Sequence, residues 1–321
     1  MKLGVLTVPL YSKSLEEALE YLSGLGVQCV ELGAGGYPGS GHMDVPKIIS
    51  DDGEVARIKG LLEKNNMTIS AISCHGNMVH PNKEIAKSYD DQLRNAVLAA
   101  ERLGVDTVVS FSGCPGDCED SKLPNWVTCS WPEDYAEILD WQWNKVLIPY
   151  WKEMAAYCQE HHIAKIALEL HPGFCVYNTA SMLRLREAVG DIMGANFDPS
   201  HLIWQGMNPV EAIKKLKGAI HHFHAKDTRV DPANVAVNGV LDTGHYSDLL
   251  GRSWTFRTVG YGTDAKAWKD MISTLRATGY DGAISIEHED AMMSVTEGLE
   301  KAIAFLKDIL MYDEACDMWW A

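Results

Sequence analysis

Short β-branched runs alternate with longer amphipathic stretches along the whole chain. Residues 4–8, 29–32, 68–73, 107–111, 163–170, 192–198, 219–225 and 283–288 read as strands: short, apolar and closed by glycine or polar residues. Between them lie stretches with apolar residues at helical spacing, at 14–26, 53–66, 83–103, 134–162, 179–190, 209–218, 265–279 and 294–310. In the first, Ser14 with Glu17 three residues on forms a capping box, Leu15, Ala18, Leu19 and Leu22 mark one face, and Gly26 closes it. The helix over 134–162 is expected to break near Pro149. Thr179 reads as the cap of its helix, and Pro209 occupies a first-turn position.

Eight strand–helix pairs require parallel pairing with right-handed crossovers. They predict an α/β fold, a single-domain (β/α)₈ barrel over residues 1–310, followed by an aromatic tail at 311–321. The competing architecture is an open doubly wound sheet. It calls for a glycine fingerprint after the first strand, where this chain has TVPLYSKS. The long connections at 33–52, 112–133 and 227–264 all follow strands, so a barrel carries them on its C-terminal face, where barrel enzymes keep their sites.

Composition narrows the function classes. The 321 residues include 28 basic and 44 acidic side chains, a net charge of −16 that repels phosphate backbones and anionic membranes. Neither nucleic acid nor membrane is expected as a partner. No apolar run approaches the roughly 20 residues that span a bilayer, and the N-terminus lacks a long apolar core before a cleavage site. Eight cysteines scattered through apolar segments suit free thiols of a cytoplasmic protein. Cys114, Cys118 and Cys129 share one loop without a C-x-x-C pair, and they are expected to be free or packed, without structural zinc.

An inner barrel strand ends apolar unless its end has a task. Four successive strands end in metal-ligand types: Glu169 in ALELHP, Asp198 in NFDPSH, His224 in HHFHAKD and Glu287 in SIEHED. Strand tips converge on a barrel rim, so these four can surround one divalent cation. Three carboxylates and an imidazole favour Mn²⁺, with Mg²⁺, Co²⁺ and Zn²⁺ as alternatives. Without a cation the carboxylates would repel one another. His201, three residues after Asp198, can turn back toward the site, while His171 and His75 lie on the same rim; His221 reads as a packing residue. Lys226, Asp227 and Arg229 follow His224, either as partners for an anionic intermediate or as a rim salt bridge. Trp131, Trp204, Trp254 and Phe256 fall in face-side loops, where aromatics either stack on sugars or pack the loop. Trp319 and Trp320 end the tail, either exposed toward a partner or folded against the barrel.

At ELHPGF (169–174), NFDPSHLIWQG (196–206), HHFHAKDTR (221–229), WTFRTVGYG (254–262) and SIEHED (285–290), the chain resembles the sugar phosphate isomerase/epimerase group of the xylose isomerase-like TIM barrel superfamily. Its relatives include ketose 3-epimerases, inosose dehydratase and endonuclease IV. The resemblance implies a one-metal enzyme with Glu169, Asp198, His224 and Glu287 as ligands. It would move a proton next to a carbonyl through a stabilised enediolate, with Glu169, Glu287 and His201 catalytic. His171, His75, Lys226, Arg229 and Trp204 would meet a sugar, keto-sugar or glycoside substrate. A related lyase, dehydratase or C-deglycosidase subunit uses the same first step, then β-elimination; a non-catalytic sugar-binding subunit is the third alternative. A homo-oligomer is expected, and the lyase reading adds a small β-protein partner. The chain departs from the endonuclease, having no D-x-H after His224 and SFSGCPG after strand four. Its 227–264 loop exceeds that of a compact epimerase.

Overall fold

The computed structural model describes residues 1–321. Ten strands run in chain order: β1 (Lys2–Leu6), β2 (Cys29–Gly36), β3 (Thr68–His75), β4 (Thr107–Ser110), β5 (Lys165–Glu169), β6 (Met193–Phe197), β7 (Ile220–Ala225), β8 (Asp227–Val230), β9 (Trp254–Arg257) and β10 (Ala283–Ile286). Eight of them close a parallel barrel in the order β1-β10-β7-β6-β5-β4-β3-β2. It closes where Leu3 and Val5 of β1 register with Ile284 and Ile286 of β10.

The main hydrophobic core joins the outer faces of the strands to the surrounding helices, with Trp151, Trp268, Leu19, Ile58 and Leu93 fully buried. The barrel lumen is built differently. Ala71, Val109 and Ala167 form a separate apolar plug from β3, β4 and β5. Polar side chains occupy much of the rest: Glu31, Ser73, Asn196, His222 and Ser285 are all buried and hydrogen-bonded to one another or to His224.

Local signals explain most boundaries. Ser14 and Glu17 form the capping box, and Gly104 ends the helix Lys83–Leu103 in a left-handed conformation, φ 75°. Two expectations are corrected. Asn178, not Thr179, caps the helix Thr179–Val189, paired with Ser181. The segment expected to break at Pro149 is continuous: α-helix Glu133–Trp141 passes through a π-helical stretch, Gln142–Leu147, into Ile148–Glu160. The wider turn precedes Pro149 and absorbs the register change that its missing N–H requires.

The 227–264 connection is more than a loop. β8 and β9 pair antiparallel outside the barrel, with Asp227 opposite Arg257 and Val230 opposite Trp254, and a short helix, Pro232–Asn238, follows β8. Asp227 fastens this insertion to the barrel. Its buried carboxylate accepts hydrogen bonds from the backbone N–H groups of Thr228, Gly260, Gly262 and Thr263, from the Thr263 hydroxyl and from the Trp268 indole. It forms no salt bridge with Lys226 or Arg229, contrary to one of the two sequence readings. Gly262 is required there, since a Cβ would lie 2.5 Å from the Thr228 carbonyl carbon.

The start of the C-terminal tail is held to the barrel by Arg276, which donates to the carbonyls of Met311 and Asp313, but its end does not fold back: Trp319 is 84% exposed and Trp320 63%. Cys114 is buried, whereas Cys118 and Cys129 are exposed, their thiols against the Ser121 hydroxyl and the Trp131 carbonyl, so the three do not converge. No helix is long and apolar enough to cross a membrane.

Asp227→Ala should leave several buried N–H donors without an acceptor and cost roughly 3 kcal/mol or more. Urea unfolding is the measurement, and Asp227→Asn, which retains one acceptor oxygen, should cost less.

Candidate metal centre

Neighbouring strands deliver the central side chains. Glu169 is the last residue of β5, His224 lies in β7, and Asp198 and Glu287 immediately follow β6 and β10. These strands are consecutive around the barrel. One potential ligand atom from each of Glu169, Asp198, His224 and Glu287 lies within 4.8 Å of all the others, a spacing that could hold a single ion. Asp198 caps the helix Pro199–Trp204: one carboxylate oxygen accepts the Ser200 N–H at 2.8 Å, which leaves Oδ2 for the centre.

Lys226 is buried in the same centre. Its Nζ lies 2.7 Å from Glu287 Oε2, 3.1 Å from Asp198 Oδ2 and 3.4 Å from Glu289 Oε2. These contacts balance charge, yet Asp198 Oδ2, Glu287 Oε2 and His224 Nδ1 are buried without a well-formed hydrogen bond. Two carboxylate oxygens and an imidazole nitrogen left over at one point fit a divalent cation.

The surroundings set the ionisation of each group. Burial pushes the Asp198 carboxyl up to about 6, opposed by Lys226 and reinforced by the neighbouring Glu169 and Glu287 charges. Burial also opposes ionisation of Glu169, but the ring nitrogens of His201, His224 and His75 close to its oxygens hold it well below the usual carboxylate range. Glu287 is likewise lowered, by Lys226 and His224 against burial. Burial lowers His171 to about 3, with the neighbouring His201 adding to the effect.

Sequence reasoning overlooked Glu31. Its carboxylate is fully buried beneath the centre, with Oε2 2.9 Å from His224 Nε2 and 2.8 Å from the Ser285 hydroxyl; Ser73 donates to Oε1. Burial disfavours its charge, but His224 and His222 outweigh that and hold the carboxyl at about 2. Glu31 therefore takes Nε2 of His224, while Nδ1 faces Glu287 Oε2 at 3.1 Å and Glu169 Oε2 at 3.4 Å. A carboxylate behind a ligating histidine fixes the ring and its tautomer. A charged residue in the apolar run CVEL was the available signal.

The other predicted residues divide clearly. His75 Nε2 and His201 Nε2 each lie 3.1 Å from Glu169, on different oxygens, and the His171 and His201 rings are 4.0 Å apart. Trp204 is buried and stacks on Trp254 at 4.5 Å, behind His201. Phe256 packs beside both His201 and Lys226. Arg229 is exposed and makes no ion pair, so it does not join the centre, whereas Lys226 is buried in it. Trp131 is also exposed, away from this wall. His221 packs over Gly194, as a structural residue would. Above the centre lies a chamber of about 210 Å³ bounded by His75, Phe111, His171, Lys226 and Tyr37. Gly36 shapes its edge, with φ 67° and its α-carbon so close to the His75 carbonyl that any Cβ would clash.

Residues 19–309 match the family described as xylose isomerase-like TIM barrel. The chain belongs to that family. It is 38% identical to the uncharacterised protein YfiH of Bacillus subtilis, over 97% of this chain and 99% of that one. It is 31% identical to an inosose dehydratase of Clostridium botulinum, over 43% of this chain and 45% of that protein. Among solved structures, a D-tagatose 3-epimerase-like protein superposes with a TM-score of 0.64 at 21% identity, covering 96% of this chain and 98% of that one. The IolI protein with a bound zinc atom superposes with a TM-score of 0.66 at 18% identity, covering 97% and 98%. These last two likenesses concern the fold.

Lys226→Met should strip the carboxylates of their buried cation and destabilise the metal-free protein by about 3–5 kcal/mol. Denaturant unfolding in the presence of a chelator measures it.

Proposed function

We propose that this protein is a divalent-metal-dependent sugar isomerase or epimerase that moves a proton next to a carbonyl. The observation that carries this reading is the pair Glu169 and Glu287, two ionised carboxylates at one buried centre with two further ligand types between them. Glu169, Asp198, His224 and Glu287 would hold the ion, with Mn²⁺ first among the candidates. When bound, the ion supplies Lewis-acid polarisation of a carbonyl oxygen.

The chain's own residues account for the remaining steps. One of Glu169 and Glu287 removes the proton from the carbon beside the carbonyl, and the C–H electron pair moves toward the carbonyl oxygen. Lys226 offers the single buried ammonium near that developing negative charge. His201, held at Glu169, orients a substrate oxygen, while His75 at the other Glu169 oxygen fixes that carboxylate. The second carboxylate returns a proton. Delivery to the opposite face of the same carbon inverts it; delivery to the neighbouring carbon shifts the carbonyl. Phe111 and Tyr37 line the chamber, with Tyr37 exposed at its mouth.

A lyase is the second reading, favoured by the partial match to an inosose dehydratase. The same abstraction would then be followed by departure of a β-substituent with its bonding pair. A cytoplasmic setting suits either reading, and assembly into a homo-oligomer, or with a small β-protein in the lyase case, belongs with them as a proposal.

Glu169→Gln and Glu287→Gln should each lower turnover by ~10²–10⁴ through loss of the base. In D₂O, an isomerase or epimerase washes deuterium into one carbon of the recovered sugar without releasing a group. Stoichiometric release of water or an aglycone would establish the lyase instead. Neither outcome, with metal bound and several keto-sugars tried, would sink both readings in favour of a binding subunit. Separately, Glu31→Gln should weaken Mn²⁺ binding by about 10–100-fold, read by competition with a chelator.

A further inference from the structure

Two larger lobes open from the chamber above the centre, and all three spaces meet at His171. One, of about 360 Å³, runs past His201 between Trp126, Trp204, Trp254, Leu241 and Tyr246. The other, of about 440 Å³, lies between Tyr246, Leu249, Phe256 and Glu289. Both are walled by the insertion that Asp227 fastens to the barrel.

The walls are braced before any ligand arrives. Trp204 and Trp254 stack with their planes 6° apart, and Tyr246 lies parallel to Phe256 at 6.1 Å. The guanidinium of Arg252 sits 4.2 Å from the Tyr246 ring centre and 4.6 Å from that of Trp254. Its Nε and Nη1 donate to the carbonyls of Trp254 and Gly244. Asp242 is committed as well, accepting the N–H groups of Gly244 and Ser253. At the mouth Leu241 and Tyr246 remain largely exposed. The result is a rigid aromatic surface, open at one end, that begins beside the histidines at Glu169.

The charges restrict the occupant. Lys226 is engaged by three carboxylates, Arg252 is bonded to backbone and covered by aromatic faces, and Arg229 points away. Glu289 adds negative charge to the 440 Å³ lobe. No free cation remains to receive a phosphate. An aromatic wall without free cations suits the apolar face of a neutral ring.

From this the geometry points to a substrate class: neutral glycosides whose reacting sugar carries a carbonyl and sits over the centre, and whose attached ring lies against Tyr246 and Leu241 at the mouth. This rests on the proposed proton-transfer reading and narrows it away from free and phosphorylated ketoses. The ring's origin, aryl or second sugar, is a matter for the test.

The probes are methyl β-D-glucoside, 4-nitrophenyl β-D-glucoside, cellobiose and glucose 6-phosphate, titrated calorimetrically into the Mn²⁺-supplemented full-length protein. None of them needs to turn over. Burying one added ring should tighten binding about tenfold over the methyl glycoside. A gain with 4-nitrophenyl glucoside assigns an aryl group, and a gain with cellobiose a sugar; glucose 6-phosphate should gain nothing. Tyr246→Ala and Leu241→Asp, checked for unchanged thermal unfolding, should each collapse the ratio between ring-bearing and methyl glycosides. Equal affinities, tighter binding of the phosphate, or a ratio that survives both substitutions would overturn the inference. Deuterium exchange into a free ketose alongside any of those results would leave the proton-transfer reading standing. Absence of both binding and exchange would bring down both.

Discussion

Three carboxylates meet in the mouth of this barrel, and the rest of the site is organised by the need to offset their repulsion. Glu169, Asp198 and Glu287 cannot stay ionised together in a buried space without positive charge beside them. Lys226 supplies one such charge, and histidine rings crowd in: His75 hydrogen-bonds one oxygen of Glu169, His201 Nε2 lies beside the other, and His224 Nδ1 faces both Glu169 and Glu287. The compensation is incomplete, since Asp198 is still pushed up to about 6 and three ligand atoms remain without a proper hydrogen bond. That shortfall is what a divalent ion would supply.

The same constraint reaches into the lumen. His224 can serve the centre through Nδ1 only if its other nitrogen is occupied, and Glu31 occupies it. Glu31 in turn needs Ser73 and Ser285, and His222 nearby is held by Asn196. A layer that a typical barrel fills with branched aliphatic residues is thus given over to a buried polar network. Stability is supplied elsewhere, by the continuous apolar layer between strands and helices.

The insertion solves a different problem. A barrel rim with converging charges is open to water, and catalysis near a carbonyl benefits from enclosure. The β8–β9 hairpin walls one side with aromatic rings, and buried carboxylates anchor it: Asp227 at its base and Asp290, which accepts from Arg257 and the Thr258 N–H. Asp227 directly follows Lys226, so the residue that enters the centre and the residue that fixes its cover are chain neighbours. Extended backbone sends alternate side chains in opposite directions, which is how one short segment serves both.

Periodicity alone determined the eight strand–helix units, and with them the barrel, because alternation of apolar runs with amphipathic stretches admits few parallel topologies. The residues Glu169, Asp198, His224 and Glu287 were legible for a related reason: charged residues at the ends of inner strands conflict with burial unless they have partners. Glu31 was passed over although the strand read at 29–32 put it next to last; β2 in fact runs on to Gly36, and the partners that reveal its role, His224 and Ser285, come from strands distant in sequence. Only the tertiary structure decided that Lys226 turns inward and Arg229 outward, that Asp227 binds backbone N–H groups from residues more than thirty positions away, and that 227–264 folds as a hairpin with an aromatic wall. Those outcomes depend on which side chains meet across the barrel mouth. Contacts between segments distant in sequence leave no periodic trace along the chain.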